Sequence, residues 1–480
     1  MNIPLHKTKI IGTIGPGIRS VAKIEELIKS GLNVARINFS HGNFQEHKEN
    51  IQMVRQAAAN LKQHVSILID LPGVKMRIGK LKEKSILLRK GERATLTTRN
   101  VPGTIDGIPV SYKKLPESVK KGSIIYLSDG FIQLRVDDIA GTEIHCTIVI
   151  GGILLPHKGI NLPGSKLFVN PVTAADLAAV EFGLQNGVNI FGLSFVERPA
   201  DIKKIRNFAK SKGKSVYVIA KIERREAVQN YDDILKEADG IMVARGDLGI
   251  EVPIEEVPVI QKMLIRKANI MGVPVITATQ MLGSMTQNVR PTRAEVNDVA
   301  NAIVDGTDCV MLSEETAIGE YPVEAVQMMS KIAIVTEELY HTNQAHEDVR
   351  EQIRNAQGHN DVLIPDVISL NAVRAAEKLQ AKFILTPTTS GNTVRRICRF
   401  KPPCWILAFA MHKEMAEFLN FSYGVYPIGI HKVKDKLPET IVSVVRKSHL
   451  VRKGDTVVIT ERRFSPIPGE TDSLGIVTLE

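Results

Sequence analysis

The chain has 480 residues, 44% of them apolar and 24% charged, and its 62 Lys and Arg against 52 Asp and Glu leave a net charge of +10. That length exceeds one ordinary core, so several domains are expected, and the composition excludes a disordered or fibrous chain. Aromatics make up only 5% and the basic residues are spread along the chain, which argues against nucleic acid and for a basic pocket taking phosphorylated or carboxylated small molecules.

The chain opens with a strand-then-helix rhythm. Lys9 to Ile14 reads as a strand, and Ser20 caps a helix from Val21 to Lys29 that Gly31 closes. A second strand covers Val34 to Asn38, a helix runs from about Gln45 to Ala59, and a third strand from Val65 to Ile69 ends on Asp70. The rhythm then breaks. From Leu71 to Phe168 the chain is rich in Gly, Pro, Thr and Val with short alternating runs such as Ala94 to Thr97 and Ile124 to Leu127. This reads as a small β-rich domain inserted into an α/β frame, with Pro72-Gly73 and Pro163-Gly164 as hinges.

The rhythm resumes where Thr173 caps a helix through Gln185. Strands follow at Asn189 to Leu193, Val216 to Ala220, Gly240 to Val243, Val275 to Ala278 and Cys309 to Leu312. With the first three they make the eight strands of a (β/α)₈ barrel, whose active site lies at the strands' carboxyl ends. Those ends carry Asn38, Asp70, Ser194, Lys221, Asp247, Thr279 and Ser313. After a helix from Pro322 to Leu339, a second α/β pattern begins near Asn360 and closes with a strand at Gly475 to Leu479. The expected organisation is an α/β chain in parts: a TIM barrel from 1–70 and 169–345, an inserted β-barrel lid from 71–168, and a C-terminal α/β effector domain from 346–480.

Cys146, Cys309, Cys398 and Cys404 show no paired ligand spacing and are expected as free thiols in a reducing cytosol. Met1 to Ile14 lacks the apolar core of a signal peptide, and no run has membrane-spanning length. The expectation is a cytoplasmic protein with neither membrane nor nucleic acid as partner.

There is no Walker-type loop, protein-kinase catalytic loop or nucleophile elbow. Any phosphoryl chemistry must rest on side chains and metals at the barrel mouth. Glu223 and Asp247 end successive strands, close enough to share one Mg²⁺, although two carboxylates on solvated loops fit the same spacing. Lys221, two residues before Glu223, lies on the same face of an extended segment, so lysine and metal would aim at one point. The turn Arg245 to Gly249 exposes amides suited to a carboxylate. Arg36 to Gly42 packs Arg36, Asn38, Ser40 and His41 around one turn, with Arg36 and Asn38 on one face toward phosphate.

Arg36 to Gly42, Lys158 to Gly164, Lys221-Ile222-Glu223, Met242 to Gly249, Ile276 to Met281, Pro291 to Glu295 and Met311-Leu312-Ser313 resemble the signature blocks of the pyruvate kinase family, in order and over nearly the whole chain. The resemblance implies phosphoryl transfer from phosphoenolpyruvate to ADP, giving ATP and pyruvate. Glu223 and Asp247 would ligate Mg²⁺, or Mn²⁺ in its place, and Lys221 would steady the phosphoryl group in flight. Gly246 and Asp247 amides would hold the substrate carboxylate, with Ser194 also at the substrate. Thr279 would orient that carboxylate and a proton-delivering water. Arg36, Asn38, His41, Arg77 and Lys158 would meet nucleotide phosphates, Arg36 also serving catalysis, while the inserted domain closes as a lid. A homotetramer is implied.

Three departures from the family pattern stand out. The turn reads Asp70-Leu71-Pro72-Gly73-Val74-Lys75, with the glycine in register and the proline moved. Lys75 stands where K⁺-requiring members have glutamate, beside the cation ligands Asn38, Ser40, Asp70 and the Leu71 carbonyl; its ammonium would replace K⁺. Glu314 stands where relatives have a small residue. In the C-terminal domain Thr388, Thr389, Ser390, Gly391, Asn392 and Thr393 resemble the family's sugar-phosphate effector loop, with Arg462 and Arg463 in a later loop. Pro466 to Gly469 departs from the fructose-bisphosphate pattern, so the phosphorylated effector is left open. A Mg²⁺-dependent barrel lyase would share the carboxylates but not Lys221, the Arg36 cluster or the lid. A nucleic-acid-binding protein would show steep salt sensitivity and no turnover.

Overall fold

The computed structural model describes residues 3–74, 76–128, 130–165, 168, 170–339, 351, 363–430, 437–448, 450–464 and 471–479. Eight parallel strands close a barrel: β1 Lys9–Thr13, β2 Leu32–Asn38, β3 Ser66–Asp70, β4 Ile190–Leu193, β5 Tyr217–Ile222, β6 Gly240–Ala244, β7 Val275–Ala278 and β8 Cys309–Leu312. They are almost wholly buried, as strands covered on both faces must be, which is why they read as continuous apolar runs. Ile11, Val34, Leu68, Ile190, Ile219, Met242, Ile276 and Met311 fill the interior, so the barrel is a packed core and not a pore.

The helices start where their caps require. Ser20 and Thr173 accept from the amides of Lys23 and Asp176, and Asp176 completes a capping box with Thr173. The first helix covers Val21–Lys29 as expected, with Ser30 as its C-cap, and the closing Gly31 follows at φ +121° with a Cβ position only 2.6 Å from His6 Nε2.

Between β3 and β4 the inserted strands pair as a six-stranded sheet and a separate two-stranded one, Ile86–Leu88 with Gly152–Leu154. The small barrel expected here is closed by Met76 to Gly79: Ile160 N donates to Met76 O at 3.0 Å along one edge strand, and Gly79 N donates to Pro109 O at 2.8 Å along the other. Register shifts in the Ile132–Ala140 and Glu143–Ile150 pair help bend the sheet into that ring. Both sheets share one core that includes Leu88, Leu96, Ile125, Leu134, Ile144 and Leu154.

The C-terminal sheet is mixed, with Phe383–Thr388, Trp405–Ala410, Val425–Gly429 and Thr456–Glu461 parallel and Ser473–Thr478 antiparallel at one edge. It seats against the amino end of the barrel. Phe418 and Phe421 join the interior cluster from below, and Lys401 Nζ pairs with Asp308 Oδ1 at 2.7 Å with both side chains buried. Lys9 Nζ donates to Val425 O at 2.6 Å. Burial pulls the Lys9 pKa down to about 8. Among the described residues no helix is long and apolar enough to cross a membrane.

Candidate active site

The carboxyl ends of β3, β4 and β5 bring Asp70, Ser194, Lys221 and Glu223 together. Lys221 Nζ lies 2.8 Å from Glu223 Oε1 and 3.1 Å from Asp70 Oδ1, and donates to Ser194 Oγ at 2.8 Å. Its side chain is only 12% exposed, so the amine faces inward, toward both acidic neighbours. Burial alone would lower the Lys221 pKa, but the charges of Asp70 and Glu223 outweigh it and hold the amine protonated above the ordinary lysine value.

Asp70 also receives Arg36. Nε donates to Asp70 Oδ2 at 2.8 Å, Nη2 pairs with the same oxygen at 2.6 Å, and Nη1 donates to Thr13 Oγ1 at 2.8 Å. Burial would raise the Asp70 carboxyl, yet Lys221 and Arg36 together hold it below the ordinary carboxylate range. Arg36, expected at nucleotide phosphate, is thus largely committed to Asp70. Of the expected cation ligands, Asn38 Oδ1 accepts from Ser40 N at 3.1 Å and Leu71 O accepts from Ser194 Oγ at 2.8 Å. Lys75 lies outside the described residues, as does Pro466 to Gly469.

Glu223 is buried, with Oε2 accepting from Phe195 N at 2.7 Å. Burial first, then the charge of Asp247, pushes its pKa up to about 7 against the pull of Lys221. Glu223 is therefore short of positive charge even beside Lys221. Glu223 Oε1 and Oε2 each take one of these donors and keep a second lone pair, and carboxylates are hard oxygen ligands, so Glu223 with the neighbouring Asp247 fits a divalent cation that draws its other ligands from water and substrate. Among the described residues no group of three or more His, Cys, Asp or Glu gathers into a fuller metal cage.

After β6, Arg245–Glu251 forms a short helix. Gly246 N–H, expected to face a substrate carboxylate, donates to Thr279 Oγ1 at 2.7 Å, and that hydroxyl donates in turn to Ala278 O at 2.6 Å. Arg245 supports the turn, donating to Thr279 O at 2.8 Å and to Asp298 Oδ1 at 2.7 Å. Sequence reading passed over Arg245, although it opens the block that carries Asp247. It also passed over Glu315, whose buried carboxylate accepts from Leu282 N and Ser313 N. Glu314 beside it is exposed in the first turn of Glu314–Ala317.

A cavity of about 260 Å³ opens between lid and barrel. His41, Arg77 and Lys158 line it together with Phe195, Arg224, Asp247 and Glu251, whereas Arg36 and Asn38 do not. In the C-terminal loop, Thr388 Oγ1 accepts from Gly391 N and Thr393 Oγ1 bonds Thr471 Oγ1, so both hydroxyls serve the fold. Thr389 and Asn392 are exposed, and Ser390 half so.

The barrel and the C-terminal sheet each match a family model: one described as the pyruvate kinase barrel domain over residues 5–326, the other as the pyruvate kinase alpha/beta domain over 366–477. The chain belongs to the pyruvate kinase family. It is 50% identical over 463 residues to a pyruvate kinase of Thermococcus litoralis, covering 96% of each chain. To pyruvate kinase 2 of Synechocystis it is 42% identical over 477 residues, covering 98% of this chain and 79% of that one. The crystal structure of a pyruvate kinase from Cryptosporidium parvum superimposes with a TM-score of 0.91 at 36% identity, covering 99% of this chain and 97% of that one. The whole architecture, lid included, is therefore that of the pyruvate kinases.

Proposed function

We propose that this chain is a pyruvate kinase that works at the carboxyl mouth of its barrel, moving the phosphoryl group of phosphoenolpyruvate to ADP in the last step of glycolysis. In that step the bond from phosphorus to the enol oxygen breaks and a bond to a terminal oxygen of ADP forms. The enolate left behind takes a proton at its methylene carbon and becomes pyruvate. The observation that carries the residue assignment is the position of Lys221 Nζ, within 3.1 Å of Asp70, Glu223 and Ser194, where the two carboxylates favour its charged form. Held at these points, the amine needs no reorganisation as negative charge moves onto the phosphoryl group, which is where electrostatic catalysis gains most.

Glu223 and Asp247 would hold Mg²⁺, or Mn²⁺ in its place, which when bound supplies positive charge against phosphate and carboxylate oxygens. The substrate carboxylate would take over the Gly246 amide from Thr279 Oγ1 and meet the Asp247 amide beside it. The freed Thr279 hydroxyl would then orient the water that delivers the proton. Arg36 would act through Asp70, while His41, Arg77 and Lys158 reach the nucleotide phosphates from the cavity they share. Lys75 would supply the charge that K⁺ provides elsewhere.

The loop from Thr388 to Thr393 would take a phosphorylated effector through Thr389, Ser390 and Asn392, with the exposed Arg462 and Arg463 nearby. Exposed Ile254, Val259, Met271 and Val289 are apolar surface of the kind a homotetramer buries. A cytoplasmic location accords with the free thiols of all four cysteines. The decisive assay couples pyruvate formation to ADP, with and without Mg²⁺. Pyruvate release from phosphoenolpyruvate without ADP would point to a lyase or phosphatase instead.

A further inference from the structure

The lid is an insertion, so it hangs on two chain crossings; the first packs on the barrel turn of residues 194–197, and the second is tied to that turn through Arg224. At the first crossing, Leu71 O accepts from Ser194 Oγ, and Gly73 N donates to Asp176 Oδ1 at 2.9 Å. Gly73 sits at φ +62°, and a Cβ there would lie 2.8 Å from both Phe195 Cδ2 and Ser194 Cβ, so that crossing packs hard on the turn. At the second crossing Gly164 takes φ +64°, and the carbonyl of the next residue, Ser165, accepts from Arg224 Nη2 at 3.1 Å. The same guanidinium pairs through Nη1 with Glu197 at the far end of the turn.

The turn is also bolted to the reaction centre. Ser194 Oγ receives Lys221 Nζ, and Phe195, at φ +55°, gives its N–H to Glu223 Oε2 at 2.7 Å. Arg224 follows Glu223 directly in the chain and is among the largest fully buried side chains. Its fork faces Glu197, Glu226 at 3.5 Å and Glu251 at 3.9 Å. Arg224 Nε and Glu251 Oε2 are both buried without a hydrogen bond, and both residues line the cavity beside Asp247. A buried guanidinium facing several carboxylates, with one N–H and one oxygen unspent, has a second arrangement within reach. Such a pair can be remade when neighbouring groups move.

We infer that Arg224 is a positioning residue that ties the lid's return crossing to the turn gripped by Lys221 and Glu223, so that filling the reaction centre draws the lid shut. This rests on the reading of Lys221 and Glu223 as the reaction centre. An unlatched lid closes less often. Apparent affinity then falls by the fraction of closed molecules, and water reaches a phosphoryl group meant for ADP.

The test uses the full-length enzyme and two variants. Arg224→Lys keeps a positive charge among the glutamates and cannot span Ser165 O and Glu197 at once. Glu197→Gln loosens the turn while leaving the arginine in place. For Arg224→Lys we expect the KM for phosphoenolpyruvate to rise about tenfold with kcat changed much less, and pyruvate to form in excess of ATP. Glu197→Gln should shift both in the same direction. In the wild type, amide exchange at Ser165 and its neighbours should slow when phosphoenolpyruvate and Mg²⁺ bind, a readout that stands even if a variant fails to fold. The inference is overturned if the variants keep wild-type KM and equal pyruvate and ATP, or if ligand leaves wild-type exchange at that crossing unaltered. Absent turnover of phosphoenolpyruvate with ADP in the wild type would remove the reaction-centre reading and this one with it. Normal wild-type turnover with unaltered variants removes this one alone.

Discussion

Thr279 Oγ1 accepts the Gly246 N–H at 2.7 Å while Thr279 itself is held at φ +69°, in a region where a β-branched residue is rarely found. Gln280 follows at φ +54°. A backbone strained by about 1–3 kcal/mol persists only where its surroundings over-determine it. Here Arg245 supplies the clamp by binding Thr279 O.

The hydroxyl and the β-branch can be separated by substitution. Thr279→Ser keeps the hydroxyl and should retain most of the turnover. Thr279→Val keeps the shape and should lower kcat about a hundredfold, the usual scale for a group that positions a transferring proton. Equal rates for the two variants in steady-state assays would remove the hydroxyl from the reaction.

Lys221→Met should lower kcat about a thousandfold, as expected when a preorganised charge is removed from the transferring group. Mn²⁺ binding, followed by paramagnetic resonance, should largely persist. Undiminished turnover would exclude Lys221 from the mechanism.

Asp70 is the counter-charge to both Arg36 and Lys221, and its side chain is 2% exposed. Asp70→Asn leaves two cations facing a neutral amide and should destabilise the barrel by about 3 kcal/mol, the scale for breaking a buried pair. Denaturant titration measures this, and a midpoint matching the wild type would contradict it.

His6 is buried against the barrel's amino end, and burial pulls its pKa from 6.5 to about 4. The unfolded chain therefore binds a proton in this window that the folded chain refuses. The stability from a neutral His6 is complete above pH 6.5 and is lost as pH falls toward 4. At about 1.4 kcal/mol per pH unit, the whole interval is worth at most about 3.5 kcal/mol. His64 is shifted the same way, so His6→Gln should flatten the acid limb of the stability profile only in part. An unaltered limb would show that His6 does not titrate there.

Activity in choline or Na⁺ buffer should match that in K⁺, because Lys75 supplies the positive charge. A large stimulation by added K⁺ would refute this.

The barrel was legible in the sequence because covered parallel strands leave continuous β-branched runs, and those runs matched the observed strands to within a residue or two at most ends. Caps at Ser20 and Thr173 were legible for the same local reason, since a hydroxyl three residues before an amide needs no tertiary partner. The lid's sheet pairing was not. Strands as short as Ile160–Asn161 and Ile108–Pro109 carry too little pattern to announce their neighbours. For Arg36, spacing gave a strand face shared with Asn38, but only the fold shows Asp70 and Thr13 within its reach.

By itself, then, the order of residues determined which strand end carries each ionic group, because chain direction and alternation are local properties. It also determined the family, through blocks that keep their order along the chain. Tertiary structure alone decided which of those groups share charge. Lys221 meets Asp70 across the intervening β4 and a whole inserted domain, and Arg224 reaches the lid's return crossing from a neighbouring loop. Such pairings depend on barrel closure and on burial, which remove water as the competing partner, and neither is encoded at any fixed spacing along the chain.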